Sequence, residues 1–358
     1  MNTHLNLHST SIVIGDECFS VLQDFLLKNQ TSKVFIIVDS NTKKSCLPVL
    51  LRNIPILLDS KIIFSKTGED AKSLKSFEDI CLQLINNHID RKSLIINLGG
   101  GVICDLGGFV SSVLKRGIQF INMPTTLMSQ IDASVGGKVG LNLSGSKNQI
   151  GVFNNPIYVL IYPPYLFSLS SNELLSAQAE IFKYALIYDE DFWHQLCAMG
   201  GVKKSHYNSI ITQCIGIKCK IVSSDYYDWS ERRKLNFGHS IAHAIEGLFI
   251  NNNMPISHGC AVAVGIVCET YISYLKYDFA QKKFHSIINN ILRIFPIINI
   301  NETQYDLIIN YIKFDKKNSN GEFNFTLIKD IGCALVNCSV SKEEIISSLN
   351  FYREKCQK

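Results

Sequence analysis

The sequence predicts two domains: an N-terminal α/β domain built on a doubly wound parallel sheet, and a C-terminal all-helical domain. Three observations predict this. Four short β-rich runs, VFIIVDS (34–40), KIIFSK (61–66), SLIINLGGG (93–101) and FINMPTT (120–126), are each followed or closed by small or polar residues. Helical spacing fills the gaps between them, as alternation of strand and helix in a parallel sheet requires. From about residue 170 the pattern changes to long helical stretches with little strand character.

The elements follow in order. After the second run, DAKSLKSFEDICLQLINNH places Leu74, Phe77, Ile80, Cys81 and Leu84 on one helical face. The third run ends in Gly99, Gly100 and Gly101, with a helix expected near Asp105. Backbone amides there suit a pyrophosphate, helped by the positive helix end. The spacing is not G-x-G-x-x-G, so a tight structural turn explains the glycines equally well. GGKVGLNLSGSKN reads as a loop in which Lys138, Lys147 and Asn148 suit an anion, or as an ordinary solvated loop. Pro163 and Pro164 break the pattern, dividing the chain into 1–168 and 169–358. Beyond them, SNELLSAQAEIFKYALIYDEDFWHQLC, SIITQCIGIKCKIVSSD, HSIAHAIEGLF and AVAVGIVCETYISYLKYDF are helical, the first starting near Ser171 or Asn172.

The chain of 358 residues is too long for one ordinary core and comfortable for two. Hydrophobic residues make up 46% and charged residues 18%, a globular composition. A net charge of +4, with no basic block interleaved with aromatics, argues against a nucleic-acid partner. Twelve irregularly spaced cysteines form no C-x-x-C pair of zinc-ribbon spacing and read as buried reduced thiols. MNTHLNLHSTSIVIG lacks the features of a secretion signal, and Glu269 interrupts the apolar run from Cys260 to Cys268. A soluble, cytoplasmic protein without a membrane partner is expected.

Glu180, His239 and His258 each sit in a setting that suits a divalent metal. Two imidazoles and a carboxylate are a common catalytic zinc set with a position left for substrate. Lys183 shares the helical face of Glu180, and His243 that of His239, where either histidine alone is more often structural. H-E-x-x-H is absent, because Ser240 follows His239. A metal beside a dinucleotide suggests redox chemistry at an oxygenated carbon.

Taken together, GGGVICDLGGFVSSVLKRG, PTTLMSQIDASVGGKVGLN, SKNQIGVF, AEIFKYALI and RRKLNFGHSIAHAIE resemble the 3-dehydroquinate synthase family of sugar phosphate cyclases. The resemblance runs from VDSN near residue 40 to FDKKNSNGEFNFTL at 314–327. It implies a Rossmann-like NAD domain and a helical zinc domain. Glu180, His239 and His258 would be the ligands of Zn2+, with Co2+ an alternative. NAD would be held by Asp39, Asn41, Glu69, Lys72, Gly100, Gly101, Val102, Asp105, Thr125, Thr126, Asp132 and Lys147. Lys138, Lys147, Asn148, Lys183, Lys218, Arg232, Asn236, His243 and Lys316 would bind a substrate carrying phosphate and carboxylate. Arg116 would reach a neighbouring subunit's site, which implies a homodimer.

The reaction implied takes 3-deoxy-D-arabino-heptulosonate 7-phosphate to 3-dehydroquinate and phosphate. It runs by transient oxidation, elimination, re-reduction and intramolecular aldol closure, with His243 as proton relay or hydrogen-bond partner. The chain departs from the common family pattern at Cys104, Ala242 and Cys260, none of them a proposed ligand or cation. Alternatives are a valiolone-type cyclase, a metal-dependent polyol dehydrogenase that releases NADH, and an inactive NAD-binding scaffold.

Overall fold

A computed structural model describes residues 2–143, 146–252, 254–313 and 323–356. Two compact units result. The first comprises Met1–Ser170 with Ser205–Tyr226, the second Ser171–Lys204 with Tyr227–Lys358. The helix Tyr207–Ser224 thus belongs to the first unit, although its sequence resembles the helices on either side. The sequence reading had put it in the second.

The first unit is built on nine strands: β1 (Thr3–Leu7), β2 (Thr10–Ile14), β3 (Val34–Val38), β4 (Lys61–Phe64), β5 (Leu94–Gly99), β6 (Gln119–Pro124), β7 (Lys138–Leu143), β8 (Ser146–Phe153) and β9 (Tyr158–Ile161). Seven form one sheet in the order β1-β2-β9-β6-β5-β3-β4, parallel except for the β1–β2 hairpin at its edge. The four β-rich runs read from sequence are β3, β4, β5 and β6. The hairpin at one edge and β9 had not been read as strands.

Both faces of this sheet are covered, which is why β3 and β5 read as unbroken apolar runs. Successive side chains alternate between two cores. Ile36, Val38, Ile96 and Leu98 pack with Leu22 and Leu50 of the helices Glu17–Lys28 and Leu47–Asn53. Phe35, Ile37 and Ile95 pack on the other side with Ile80 and Leu84 of Leu74–Asn86, and with Ile103, Leu106 and Val110 of Gly101–Val113. The chain runs from β3 out to β4 and returns on the other side of β3 as β5. The loops after β3 and β5 therefore flank a topological switch point, where open α/β sheets bind ligands. GGKVGLNLSGSKN reads as a loop, but its described residues contribute to two antiparallel strands, β7 paired with β8.

Among its described residues the second unit is helical, as the sequence predicts, apart from one antiparallel hairpin, β10 (Phe323–Asp330) with β11 (Cys333–Val340). Its helices include Ser171–Tyr188, His239–Asn251 and His258–Tyr277. The last is long and apolar enough to cross a membrane by length and composition alone, more so than the sequence reading allowed. It is a core helix nonetheless: 78% of the apolar window is buried inside the protein, Glu269 included.

Candidate metal and substrate site

Three helices meet at Glu180, and glycine sets how closely they approach. A Cβ on Gly259 would lie 1.8 Å from the Ser176 carbonyl oxygen, so the helix carrying His258 rests directly on the backbone of the helix carrying Glu180. The Gly259 N–H also donates to Ser176 Oγ at 2.9 Å. A Cβ on Gly265 would meet the Gly238 carbonyl oxygen at the same distance of 1.8 Å, which seats the start of the His239 helix against the same neighbour. That start is capped from outside. The buried Glu269 carboxylate accepts from the N–H groups of Gly238 (2.6 Å), Ser240 (3.1 Å) and Ile241 (3.3 Å).

The result is a convergence of ligand atoms. One carboxylate oxygen of Glu180 and one nitrogen each of His239 and His258 all lie within 4.8 Å of one another. Glu180 Oε1 stands 3.1 Å from His239 Nε2 and 3.5 Å from His258 Nε2. Ligands bonded to one tetrahedral zinc at about 2.1 Å are separated by roughly 3.4 Å. Tautomers fit as well: His239 Nδ1 lies 3.1 Å from the Phe237 carbonyl, to which it can only donate, and His258 Nδ1 lies 3.0 Å from Glu246 Oε2. In the neutral form of each ring, Nε2 is then the lone pair that faces Glu180 and would bind a metal. Both Glu180 oxygens are buried, and none of the described groups at ion-pair distance gives them a well-directed hydrogen bond. Lys183 stands at one oxygen of this carboxylate and the two imidazoles face the other, a donor set that a divalent cation would complete. The residues fit a divalent metal.

The electrostatics follow. Burial alone would push the Glu180 carboxyl up, but Lys183 and the two imidazoles outweigh it and hold the carboxyl well below the usual range. Lys183 is itself buried and ion-paired with Glu180. Burial holds the His239 imidazole below its ordinary value against the pull of Glu180. For His258 burial acts the same way, but the Glu180 and Glu246 carboxylates beside it overcome burial and raise the imidazole to about 9. His243 is exposed, its ring 5.3 Å from that of His239 and 6.2 Å from that of His258. Arg232 is buried and Asn236 half-buried on the turn Glu231–Asn236.

In the first unit, a second polar cluster forms near the switch point. Lys72 is buried and donates to Asp105 Oδ2 at 2.7 Å and to Asn148 Oδ1 at 2.6 Å. Glu69 stands 4.0 Å from the same ammonium and accepts from Asn142 Nδ2 at 2.8 Å. Burial raises the Asp105 carboxyl above its ordinary value although Lys72 pulls the other way. Asn148 sits on β8 at φ +53°, and its N–H donates to Asn142 Oδ1 at 2.9 Å. Gly100 caps the helix Gly101–Val113, on which Val102 is half-buried, and a Cβ on Gly100 would press on Thr126 at 3.0 Å. Thr126 shares a hydrogen bond with Ser129 at 2.9 Å, and Thr125 is buried. Asp132 lies in a single π-helical turn, Ser129–Ala133, and is ion-paired with the buried Lys218, which also donates to its carbonyl at 2.6 Å.

The remaining expected residues lie on other segments of the chain. Asp39 Oδ1 accepts from the Thr42 N–H at 2.8 Å, capping the helix Ser40–Ser45, on which Asn41 is exposed. Lys138 and Lys147 are exposed at the two ends of the β7–β8 hairpin region. Arg116 is exposed at φ +65°. Lys316 lies outside the described residues. Of the departures from pattern, Cys104 is buried with Sγ 3.8 Å from the Gly99 carbonyl, Ala242 is buried on its helix, and Cys260 stands in the first turn capped by Ser257.

Two functional carboxylates went unread in the sequence. Glu246 had a signal, since 239, 243 and 246 share a helical face. Glu269 had none, because its partners lie about thirty positions away.

Comparison with known proteins agrees with this geometry. Residues 62–176 match the family profile described as 3-dehydroquinate synthase N-terminal, and 177–318 match that described as 3-dehydroquinate synthase C-terminal. A 3-dehydroquinate synthase of Parabacteroides distasonis is 40% identical over 96% of this chain and 98% of its own length. One from Clostridium tetani is 35% identical over 93% and 89%. Among solved structures, 2-deoxy-scyllo-inosose synthase complexed with carbaglucose-6-phosphate, NAD+ and Co2+ matches with a TM-score of 0.84, 20% identity and 99% coverage of both chains. A 2-epi-5-epi-valiolone synthase from Streptomyces hygroscopicus with NAD+ and Zn2+ bound matches at 0.83, 21% and 99% of both. An iron-containing alcohol dehydrogenase matches at 0.68 and 12% identity over 98% of each. The solved structures establish the fold, and the sequence relatives go further: the chain belongs to the 3-dehydroquinate synthase family.

Proposed function

We propose that this chain converts 3-deoxy-D-arabino-heptulosonate 7-phosphate to 3-dehydroquinate and phosphate, a lyase reaction that depends on NAD and a divalent metal and serves aromatic amino acid biosynthesis through the shikimate pathway. The observation that carries the reading is the convergence of Glu180, His239 and His258 at separations matching one metal's coordination. Sequence relatives named for this reaction, and structures of the same fold that hold NAD+ with Co2+ or Zn2+, support it. When bound, NAD supplies a hydride acceptor restored within each turnover, and zinc or cobalt supplies Lewis acidity at the substrate hydroxyls.

In this reading the protein's own side chains bind and position. Lys183 keeps Glu180 ionised and adds positive charge for an anionic substrate. His243, exposed beside the ligand imidazoles, hydrogen-bonds the reacting hydroxyl or relays its proton. Lys138, Lys147, Asn148, Lys218, Arg232 and Asn236 are assigned to the substrate's phosphate, carboxylate and hydroxyls. Dinucleotide contacts are assigned to Glu69, Lys72 and Asp105, the glycines after β5, Thr125, Thr126 and Asp132, with Asp39 and Asn41 after β3 at the switch point. Arg116 is assigned to the neighbouring copy of a homodimer in the cytoplasm, which light scattering on a size-exclusion column tests directly.

The deciding experiment incubates the protein with this substrate, zinc and catalytic NAD. Stoichiometric phosphate and 3-dehydroquinate without NADH accumulation is the expected result. Phosphate release from sedoheptulose 7-phosphate alone would reassign the substrate. NADH accumulating with a simple polyol would replace the cyclase reading with a dehydrogenase.

A further inference from the structure

The ligand His258 is held by a residue to which the catalytic reading gives no role. Glu246 lies seven positions after His239 on the helix His239–Asn251, a rotation that returns to within about 20° of the same face. Its carboxylate is buried, and Oε2 stands 3.0 Å from His258 Nδ1. Burying a carboxylate is costly unless it is hydrogen-bonded, so the chain gains from this placement only if Glu246 has a donor to hold. The imidazole offers one proton at Nδ1 and one lone pair at Nε2, and a partner at Nδ1 decides which nitrogen carries which.

We propose that Glu246 is a positioning residue for the metal site. It fixes the Nδ1–H tautomer of His258, turns the Nε2 lone pair toward Glu180, and makes that nitrogen the stronger ligand by sharing its negative charge. The helix bearing His239 and His243 thereby also orients His258, which belongs to the next helix.

The inference rests on the metal reading of Glu180, His239 and His258, so the unaltered protein is measured first. Zn2+ affinity is read by competition with a chromophoric chelator, and the absorption spectrum of the Co2+-loaded protein is recorded. Glu246→Gln keeps an acceptor for Nδ1 but loses the charge, whereas Glu246→Ala loses both. The expected result is a graded weakening of Zn2+ binding, about 10–100-fold for the alanine variant and less for glutamine. A shifted Co2+ spectrum in Glu246→Gln and unchanged NAD affinity should accompany it. In a His258→Ala background, removing Glu246 should have almost no further effect, because the residue acts through His258. Zn2+ affinities within twofold of the unaltered protein in both variants would overturn the proposal, as would equal losses in the presence and absence of His258. An unaltered protein that binds no Zn2+ or Co2+ would overturn the metal reading itself, and this proposal with it.

Discussion

Replacing Gly259 with alanine probes the contact on which the metal site depends. The new Cβ would stand 1.8 Å from the Ser176 carbonyl oxygen, 2.4 Å from its carbon and 2.6 Å from Ser176 Cα, all backbone. Real Cβ atoms essentially never approach within 3.0 Å, so the helices must part by about 1.2 Å, the difference between 3.0 and 1.8. No side-chain rotation relieves this. Ser176 precedes Glu180 by one helical turn, and His258 is adjacent to Gly259, so the separation is delivered to two ligands at once. Taken along the line between them, it stretches Glu180 Oε1 to His258 Nε2 from 3.5 Å to about 4.7 Å. Two metal bonds of about 2.1 Å span only about 4.2 Å even in line. Overpacking of this kind costs about 1–3 kcal/mol of stability, and a misplacement near 1 Å costs catalysis about 100-fold. Urea unfolding, Zn2+ competition and phosphate release measure the three consequences separately. A variant with unchanged Zn2+ affinity and an unchanged unfolding midpoint would refute the reasoning, since it would show that the interhelical contact is not rigid.

Three further outcomes are expected. Glu269→Ala leaves the N–H groups of Gly238, Ser240 and Ile241 without their carboxylate, and should lower unfolding free energy by about 3 kcal/mol in urea titrations at unchanged m-value; a loss below about 0.5 kcal/mol would mean that the cap is dispensable. Metal-free protein should be pH-sensitive, because His258 binds its proton more tightly folded, to about 9, than unfolded, near 6.5. That stabilisation is complete below pH 6.5 and lost as pH rises to about 9, so the urea midpoint should fall over this window, and a flat profile would contradict the pairing with Glu180 and Glu246. Thiol titration should find twelve reduced cysteines, with exposed Cys333 modified early at pH 8 and Cys18 and Cys46, pushed up to about 12 by burial, reacting only on unfolding; fast native modification of either would argue against the packed core.

The sequence by itself determined the local and periodic features. Strands β3 and β5 were legible because both their faces are buried, which makes them apolar runs, β4 and β6 as short β-rich runs beside them, and the helices because their apolar positions recur at 3.6 residues. Glu180, His239 and His258 were legible as residue types whose chemistry is distinctive wherever they stand. The pairing of β7 with β8 was not, because their glycines and polar residues carry a loop signal that hides the few core positions, Val139 and Leu141, which join the core under the main sheet. Membership of Tyr207–Ser224 in the first unit was also hidden, since periodicity states that a helix buries a face and not against what. Only the tertiary structure decided that Glu269 caps the helix of His239, that Lys72 bonds Asp105 and Asn148 together, and that Gly259 sets the distance from Glu180 to His258. Each of these is a contact between residues about thirty positions apart or more. Such contacts depend on how whole elements pack, and no window along the chain contains both partners.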